Sequence, residues 1–302
     1  MKASPDARAL APGDTIGFAG LGRMGQPMAS RLAEAGYRII GFDVSQAARD
    51  AWSARAGCPS AGSVSDLATE ADAVILMLPD SAVVTNVLIQ QGLLGRMRRG
   101  SVIIDMSSSV PPQTRELAGT AADLGLSYVD APVSGGVSGA RQGTLTIMVG
   151  GEAAAVSRVR GPLDVLGARV LHVGASGAGH AIKALNNLLS ATHLLITSEA
   201  MAAAARFGLD VPTALEAINS SSGRSGSTEN KWPNFILTGS FDSGFALSLM
   251  IKDMRIALQL IESTGGEADL AAASLRIWEE AQCTLAPDAD HTEIARWLDL
   301  RS

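Results

Sequence analysis

Gly20, Leu21, Gly22, Arg23, Met24 and Gly25 stand between a short apolar run, residues 15–20 (TIGFAG), and a helical pattern over residues 24–35. Gly20 allows the tight turn out of a strand, Gly22 lets a pyrophosphate reach the backbone, and Gly25 lets the helix pack closely on that strand. The helix start then offers free N–H groups and a positive dipole end to phosphate. Taken alone, the motif also reads as a glycine-rich turn. Its context narrows the choice. Asp43 closes a second apolar run, residues 37–43 (YRIIGFD), where a carboxylate can accept hydrogen bonds from the adenosine ribose of a dinucleotide. Val44 and Ser45 follow, and no arginine occurs before Arg49, so a 2′-phosphate meets no cation there. The expected cofactor is NAD rather than NADP.

Four more apolar runs repeat the pattern, at residues 73–79 (AVILMLP), 101–107 (SVIIDMS), 127–133 (SYVDAPV) and 144–150 (TLTIMVG). Near-continuous apolar strands with helices between them belong to a mostly parallel sheet covered on both faces. From residue 181 to 207 the chain reads as one long helix, apolar almost all round, which predicts a buried helix joining two domains. Beyond it only helices are read, at 212–220, 229–237, 246–263, 267–285 and 292–300, with Asp290 and Glu293 as a capping box and residues 220–227 as a loop. The expected architecture is an α/β Rossmann-type N-terminal domain, residues 1–174. An all-α C-terminal domain, residues 175–302, follows for substrate binding and oligomerisation, joined by the long interdomain helix.

Composition closes off other classes. With 47% hydrophobic and 18% charged residues and a net charge of −6, the chain is a globular one with a large core. Arg96, Arg98 and Arg99 form too short a cluster for a nucleic-acid footprint. No uninterrupted apolar run reaches the ~20 residues of a membrane span, and residues 1–14 lack the apolar core of a signal peptide. Cys58 and Cys283 have no redox or metal-like spacing, and His172, His180, His193 and His291 form no ligand pattern. We therefore expect a cytoplasmic protein with no metal, no membrane and no nucleic acid among its partners.

Two further segments carry chemistry. In residues 130–144 (DAPVSGGVSGARQGT), Ser134, Gly135 and Gly136 can turn successive N–H groups toward one point, an anion nest suited to a carboxylate. The same segment reads equally as a flexible loop. In residues 177–187 (GAGHAIKALNN), Lys183 and Asn187 lie four apart, on one face of the long helix. Burying them without a task or partner is costly. The alternative is a lysine extended along the surface at a helix start.

These motifs, together with residues 245–253 (FALSLMIKD), occur in an order that strongly resembles the β-hydroxyacid dehydrogenases, the group that includes 3-hydroxyisobutyrate dehydrogenase and tartronate semialdehyde reductase. The resemblance implies an active site in the cleft between the two domains and a small hydroxy acid as substrate. It implies that Ser134, Gly135 and Gly136 hold the substrate carboxylate, that Lys183 is catalytic and that Asn187 helps place the substrate. It further implies that Lys252 lines the cleft, that Leu78 and Pro79 border the cofactor, and that Ser107 and Ser108 approach the nicotinamide ribose. Physically the set is coherent. A lysine beside a cationic nicotinamide has its pKa lowered, so it can take the hydroxyl proton as hydride leaves the carbinol carbon, and return it in reverse. Arg224, in the departing segment 221–231, reads either as a contact to a second polar group of the substrate or as a solvated loop arginine. The rival functions are a non-catalytic dinucleotide-binding scaffold and an imine reductase, which carries another residue where Lys183 stands. The long helix is apolar on more faces than one contact covers, which predicts a homodimer or homotetramer.

Overall fold

Strand and helix alternate through the first half of the chain to build one eight-stranded sheet. The computed structural model describes residues 8–300, so residues 1–7 of the N-terminal stretch considered above lie outside the described residues. The strands are β1 (Thr15–Ala19), β2 (Arg38–Phe42), β3 (Ala73–Leu76), β4 (Val102–Asp105), β5 (Ser127–Asp130), β6 (Val133–Ser134), β7 (Leu145–Gly150) and β8 (Gly167–Gly174). Their order is β2-β1-β3-β4-β5-β7-β6, with β8 also paired to β7. The first five in this order run parallel, and β7 is antiparallel to β5 and β6. Strand order reverses between β1 and β3. Just beyond the carboxyl ends of such a pair lies the crevice where open α/β sheets take their ligands.

Successive strand residues face opposite sides. Ile16, Phe18, Ile75, Ile104 and Val129 enter one apolar core, while Ala19, Val74, Leu76, Ile103 and Tyr128 enter the other. Both faces are covered, which is why these strands read as unbroken apolar runs rather than alternating ones. Two details differ from the sequence reading. The run at 127–133 is two strands, because Pro132 has no N–H for a ladder and the chain turns around it. Strand β8 is absent from the sequence reading, since most of its residues are exposed and it lacks the apolar signature of a covered strand.

The helices that matter here are α1 (Gly25–Glu34), α2 (Pro111–Asp123), α3 (Gly136–Gln142), α4 (Ala178–Phe207), α5 (Val211–Asn219), α6 (Leu247–Ser263), α7 (Asp269–Gln282) and α8 (Ile294–Leu300). The chain divides into two units, Met1–Lys183 and Ala184–Ser302. The first holds the sheet and the start of α4; the second is helical.

Helix α4 begins three residues earlier than the sequence reading and spans 30 residues. It also departs from the expected burial. Ala191, Leu194, Leu195 and Met201 are buried, but Leu189 and Ile196 remain 58% and 57% exposed. Over 18 residues its mean hydropathy reaches 1.3, enough by length and composition alone to cross a membrane, with a third of that window buried within the chain.

In the second unit Asp290 does more than cap. Its carboxylate accepts from the Thr292 N–H and hydroxyl, and also from Ser243 Oγ and the N–H groups of Gly244 and Phe245. It thereby fixes the turn that leads into α6. Burial alone would raise its pKa, yet hydrogen bonding from His291 and Thr292 holds the carboxyl well below the usual carboxylate range. The reciprocal arm of the expected capping box is not made, since Glu293 pairs with Arg296 instead.

Candidate active site

The glycine motif leaves β1 and enters α1 with no room to spare. Gly20 has φ +100°, and a Cβ there would lie 2.3 Å from the Met77 carbonyl oxygen. A Cβ on Gly25 would lie 1.8 Å from the carbonyl oxygen of Gly20. Around Gly22, by contrast, a Cβ would meet nothing within 4 Å, so this backbone is open to a ligand. The α1 N-terminus has no side-chain cap, unlike the helix Gln46–Ala56, where Ser45 accepts from the Ala48 N–H. Uncapped N–H groups above an open glycine suit a pyrophosphate. Arg23, within this loop, lines a groove of about 500 Å³ along α1, together with Arg31 and Arg141.

Asp43 closes the arrangement from β2. One carboxylate oxygen accepts from the Leu21 N–H at 2.9 Å and the other from the Ser45 N–H at 2.8 Å. Each oxygen retains acceptor capacity for a ribose hydroxyl. Arg49 sits closer than its place in the sequence implies: its guanidinium donates to the Asp43 carbonyl and lies 5.9 Å from the centre of the Phe42 ring. On the other side of the crevice, the Leu78 N–H donates to Ser107 Oγ at 3.0 Å, joining the turns after β3 and β4. Ser107 is buried, Ser108 is half-buried and Pro79 is exposed.

Asp130, at the end of β5, organises the chemistry-bearing residues of the first unit. Gly135 and Gly136, a few residues on, both have positive φ, +131° and +62°, so the backbone turns there rather than continuing as a strand. Ser134 is held beside them by pairing with Thr146 of β7. The Asp130 side chain accepts from the Gly177 N–H at 2.8 Å and the His180 N–H at 3.1 Å. It thus binds the first turn of α4, where N–H groups lack helical partners. Gly179 lets that turn press against the sheet, since a Cβ would sit 2.4 Å from the Met148 carbonyl oxygen. Lys183 follows one turn later and is only 8% exposed, which removes the reading of a lysine extended along the surface.

In the second unit Asn187 is 5% exposed, and its amide donates to Asp253 Oδ2 at 2.6 Å. Lys252 Nζ lies 3.4 Å from the other oxygen of the same carboxylate. Arg224, 64% exposed along its side chain, faces Glu229 at 3.7 Å. Asp105, Asp130 and Asp253 are the residues to which the sequence reading assigns no role. Their signal is an acidic residue in an apolar segment, which is costly to bury unless its oxygens are bonded.

The comparisons converge on one group of proteins. Residues 15–174 match the NAD binding domain of 6-phosphogluconate dehydrogenase, and residues 177–298 match the NAD-binding family of NADP-dependent 3-hydroxyisobutyrate dehydrogenase. The 2-(hydroxymethyl)glutarate dehydrogenase of Eubacterium barkeri is 39% identical over 87% of this chain and 88% of its own. The NAD-dependent L-serine dehydrogenase of Pseudomonas aeruginosa is 37% identical over 87% of this chain and 90% of its own. Among solved structures, the 3-hydroxyisobutyrate dehydrogenase of Mycobacterium tuberculosis with L-serine has a TM-score of 0.89 and 32% identity, covering 95% of this chain and 99% of that one.

Proposed function

The chain belongs to the β-hydroxyacid dehydrogenase family, and on that footing we propose that it oxidises small acids of the form HOCH2–CHR–COO⁻ with Lys183 as the proton-handling residue. It is an NAD-dependent oxidoreductase that interconverts a β-hydroxy acid and its carbonyl product. L-serine, 3-hydroxyisobutyrate and 2-(hydroxymethyl)glutarate, the compounds named for its relatives, share that skeleton and differ only in R. The observation that carries the assignment is a single one. Asp130 fixes the first turn of the helix bearing Lys183, and it ends β5 just before β6, the short strand that carries Ser134 into the Gly135–Gly136 turn.

Bound NAD⁺ supplies the acceptor for a hydride. The chain's own residues do the rest. Gly20–Gly25 hold the pyrophosphate and Asp43 the adenosine ribose, with Leu78, Pro79, Ser107 and Ser108 along the same crevice. The N–H groups of Gly135 and Gly136 and the Ser134 hydroxyl hold the substrate carboxylate, which orients the hydroxyl. Neutral Lys183 accepts the hydroxyl proton as the carbonyl forms; in reverse its ammonium steadies and protonates the alkoxide. Asn187, kept in one orientation by Asp253, is the residue assigned to substrate placement, and Lys252 shares that carboxylate. Arg224 is the remaining candidate for contact with R.

The test is NADH absorbance with a panel of β-hydroxy acids, run beside NADP⁺ and, in the reductive direction, cyclic imines. Turnover of hydroxy acids supports the reading; reduction of imines alone, or binding of NAD⁺ without turnover, overturns it. Because Asp43 repels a 2′-phosphate, kcat/KM is expected to be higher with NAD⁺, and Asp43→Asn should narrow the difference. Arg49 is the cation through which that narrowing would act. Equal or better activity of the unmodified enzyme with NADP⁺ overturns the cofactor assignment.

We also assign the uncovered face of α4 to a second copy of the chain. Ile182, Leu189 and Ile196 recur every seven residues and stay exposed, a stripe of the kind a partner helix covers. Sedimentation at micromolar concentration should give a dimer or tetramer, and Leu189→Glu should dissociate it. A monomeric unmodified protein contradicts the assignment.

A further inference from the structure

His180 is buried in the first unit and has no part in the mechanism above. Its Nδ1 lies 2.7 Å from Thr114 Oγ1 on α2, and that oxygen also lies 3.2 Å from the Val110 carbonyl oxygen. Its Nε2 is buried without a hydrogen-bond partner, and 3.8 Å away stands Asp105 Oδ2. The proton count limits the choices. If the Thr114 hydroxyl donates to Val110, Nδ1 must carry a proton. A neutral ring would then set a bare Nε2 against the Asp105 carboxylate. If the hydroxyl donates to Nδ1 instead, the ring proton is on Nε2. Every arrangement without opposed acceptors therefore has an N–H on Nε2 facing Asp105, whether the ring is neutral or cationic.

Asp105 has other commitments. Its carboxylate accepts from the Ser107 N–H at 3.0 Å, from the Ser109 hydroxyl at 3.3 Å and from the Tyr128 hydroxyl at 2.9 Å. Burial, together with Asp105, pushes the Tyr128 hydroxyl well above its ordinary pKa, so it remains a donor. The same carboxylate thus shapes the turn at residues 107–109, which is tied to Leu78. On its other side, the His180 N–H is held by Asp130, and Lys183 follows three residues later on the same helix face.

We propose that His180 is a positioning residue for Lys183: its imidazole, set between Thr114 and Asp105, locks the first turn of α4 to the strand end that shapes the cofactor-side turn at 107–109. The proposal rests on Lys183 being the base. Such a bridge, one hydrogen bond to Thr114 and a 3.8 Å approach of Nε2 to Asp105, fixes where the Lys183 amine stands when the cofactor-side turn is in place, and it touches neither substrate nor cofactor.

The test uses the full-length enzyme with NAD⁺ and the hydroxy acid it turns over best. His180→Leu should lower kcat by about tenfold or more, the scale of a small misplacement at a reacting centre, with NAD⁺ affinity unchanged. His180→Gln, whose amide can donate toward Asp105 and bond Thr114, should recover most of that loss. Unchanged kcat in His180→Leu overturns the proposal, as does a loss that glutamine fails to recover. Lys183→Ala measured alongside separates the two levels: if turnover survives it, the underlying reading fails, and if turnover is lost while His180→Leu matches the unmodified enzyme, only this proposal fails. Should His180→Leu not fold, the 15N imidazole spectrum of the unmodified enzyme decides. A signal missing from His180→Gln and protonated at Nε2 is expected; a bare Nε2 overturns the bridge.

Discussion

Lys183→Ala is expected to lower kcat for hydroxy-acid oxidation by at least ~10²-fold, the lower end for loss of a positioned general base. NAD⁺ affinity should stay close to normal, since the pyrophosphate is assigned to Gly20–Gly25 and the ribose to Asp43, on other elements. Lys183→Arg should not restore activity, because a guanidinium stays protonated and cannot accept the hydroxyl proton. In the unmodified enzyme the oxidation rate should rise toward alkaline pH as the lysine loses its proton, and that limb should vanish in Lys183→Ala. Near-normal kcat in the alanine variant, with NAD⁺ titrating as before, would transfer the chemistry elsewhere. Lys252 would be the first residue to test.

Asp130→Ala should be nearly as damaging for a different reason. The substitution leaves the Gly177 and His180 N–H groups buried without an acceptor. At about 1–3 kcal/mol for each unsatisfied donor, the loss is about 2–6 kcal/mol, a large part of the stability of a typical domain. The first turn of α4 should loosen, so kcat should fall even in the fraction that folds. Thermal unfolding and active-site titration separate the two effects. Unchanged unfolding temperature and unchanged kcat would mean that Asp130 neither caps α4 nor places Lys183. Asp130→Asn should be milder, because its amide oxygen still accepts one of the two N–H groups.

The parts of the fold set by local pattern were legible in the sequence. The five parallel strands announce themselves as apolar runs because both faces are covered, and the glycine spacing at 20, 22 and 25 marks the turn because a Cβ at the first or third would meet backbone. Lys183 and Asn187 stand out because a polar residue on an apolar helix is visible in one dimension. What the sequence conceals is pairing at a distance. Asp130 acts on N–H groups 47 and 50 residues further along, and Asp253 acts on an amide 66 residues before it. Nothing in the local spacing says which donor a buried carboxylate will meet. Surface strand β8 was hidden for another reason: most of its residues are exposed, so it carries no continuous apolar run to read.

The proposed reaction moves a hydride from the carbinol carbon of a β-hydroxy acid to NAD⁺. The most informative experiment uses a substrate with both hydrogens of that carbon replaced by deuterium (HOCD2–CHR–COO⁻), followed by mass analysis of the reduced cofactor. One deuterium is expected in each molecule of NADH formed by the unmodified enzyme. Reduced cofactor without the label, or no reduced cofactor with any β-hydroxy acid of this form, would contradict it.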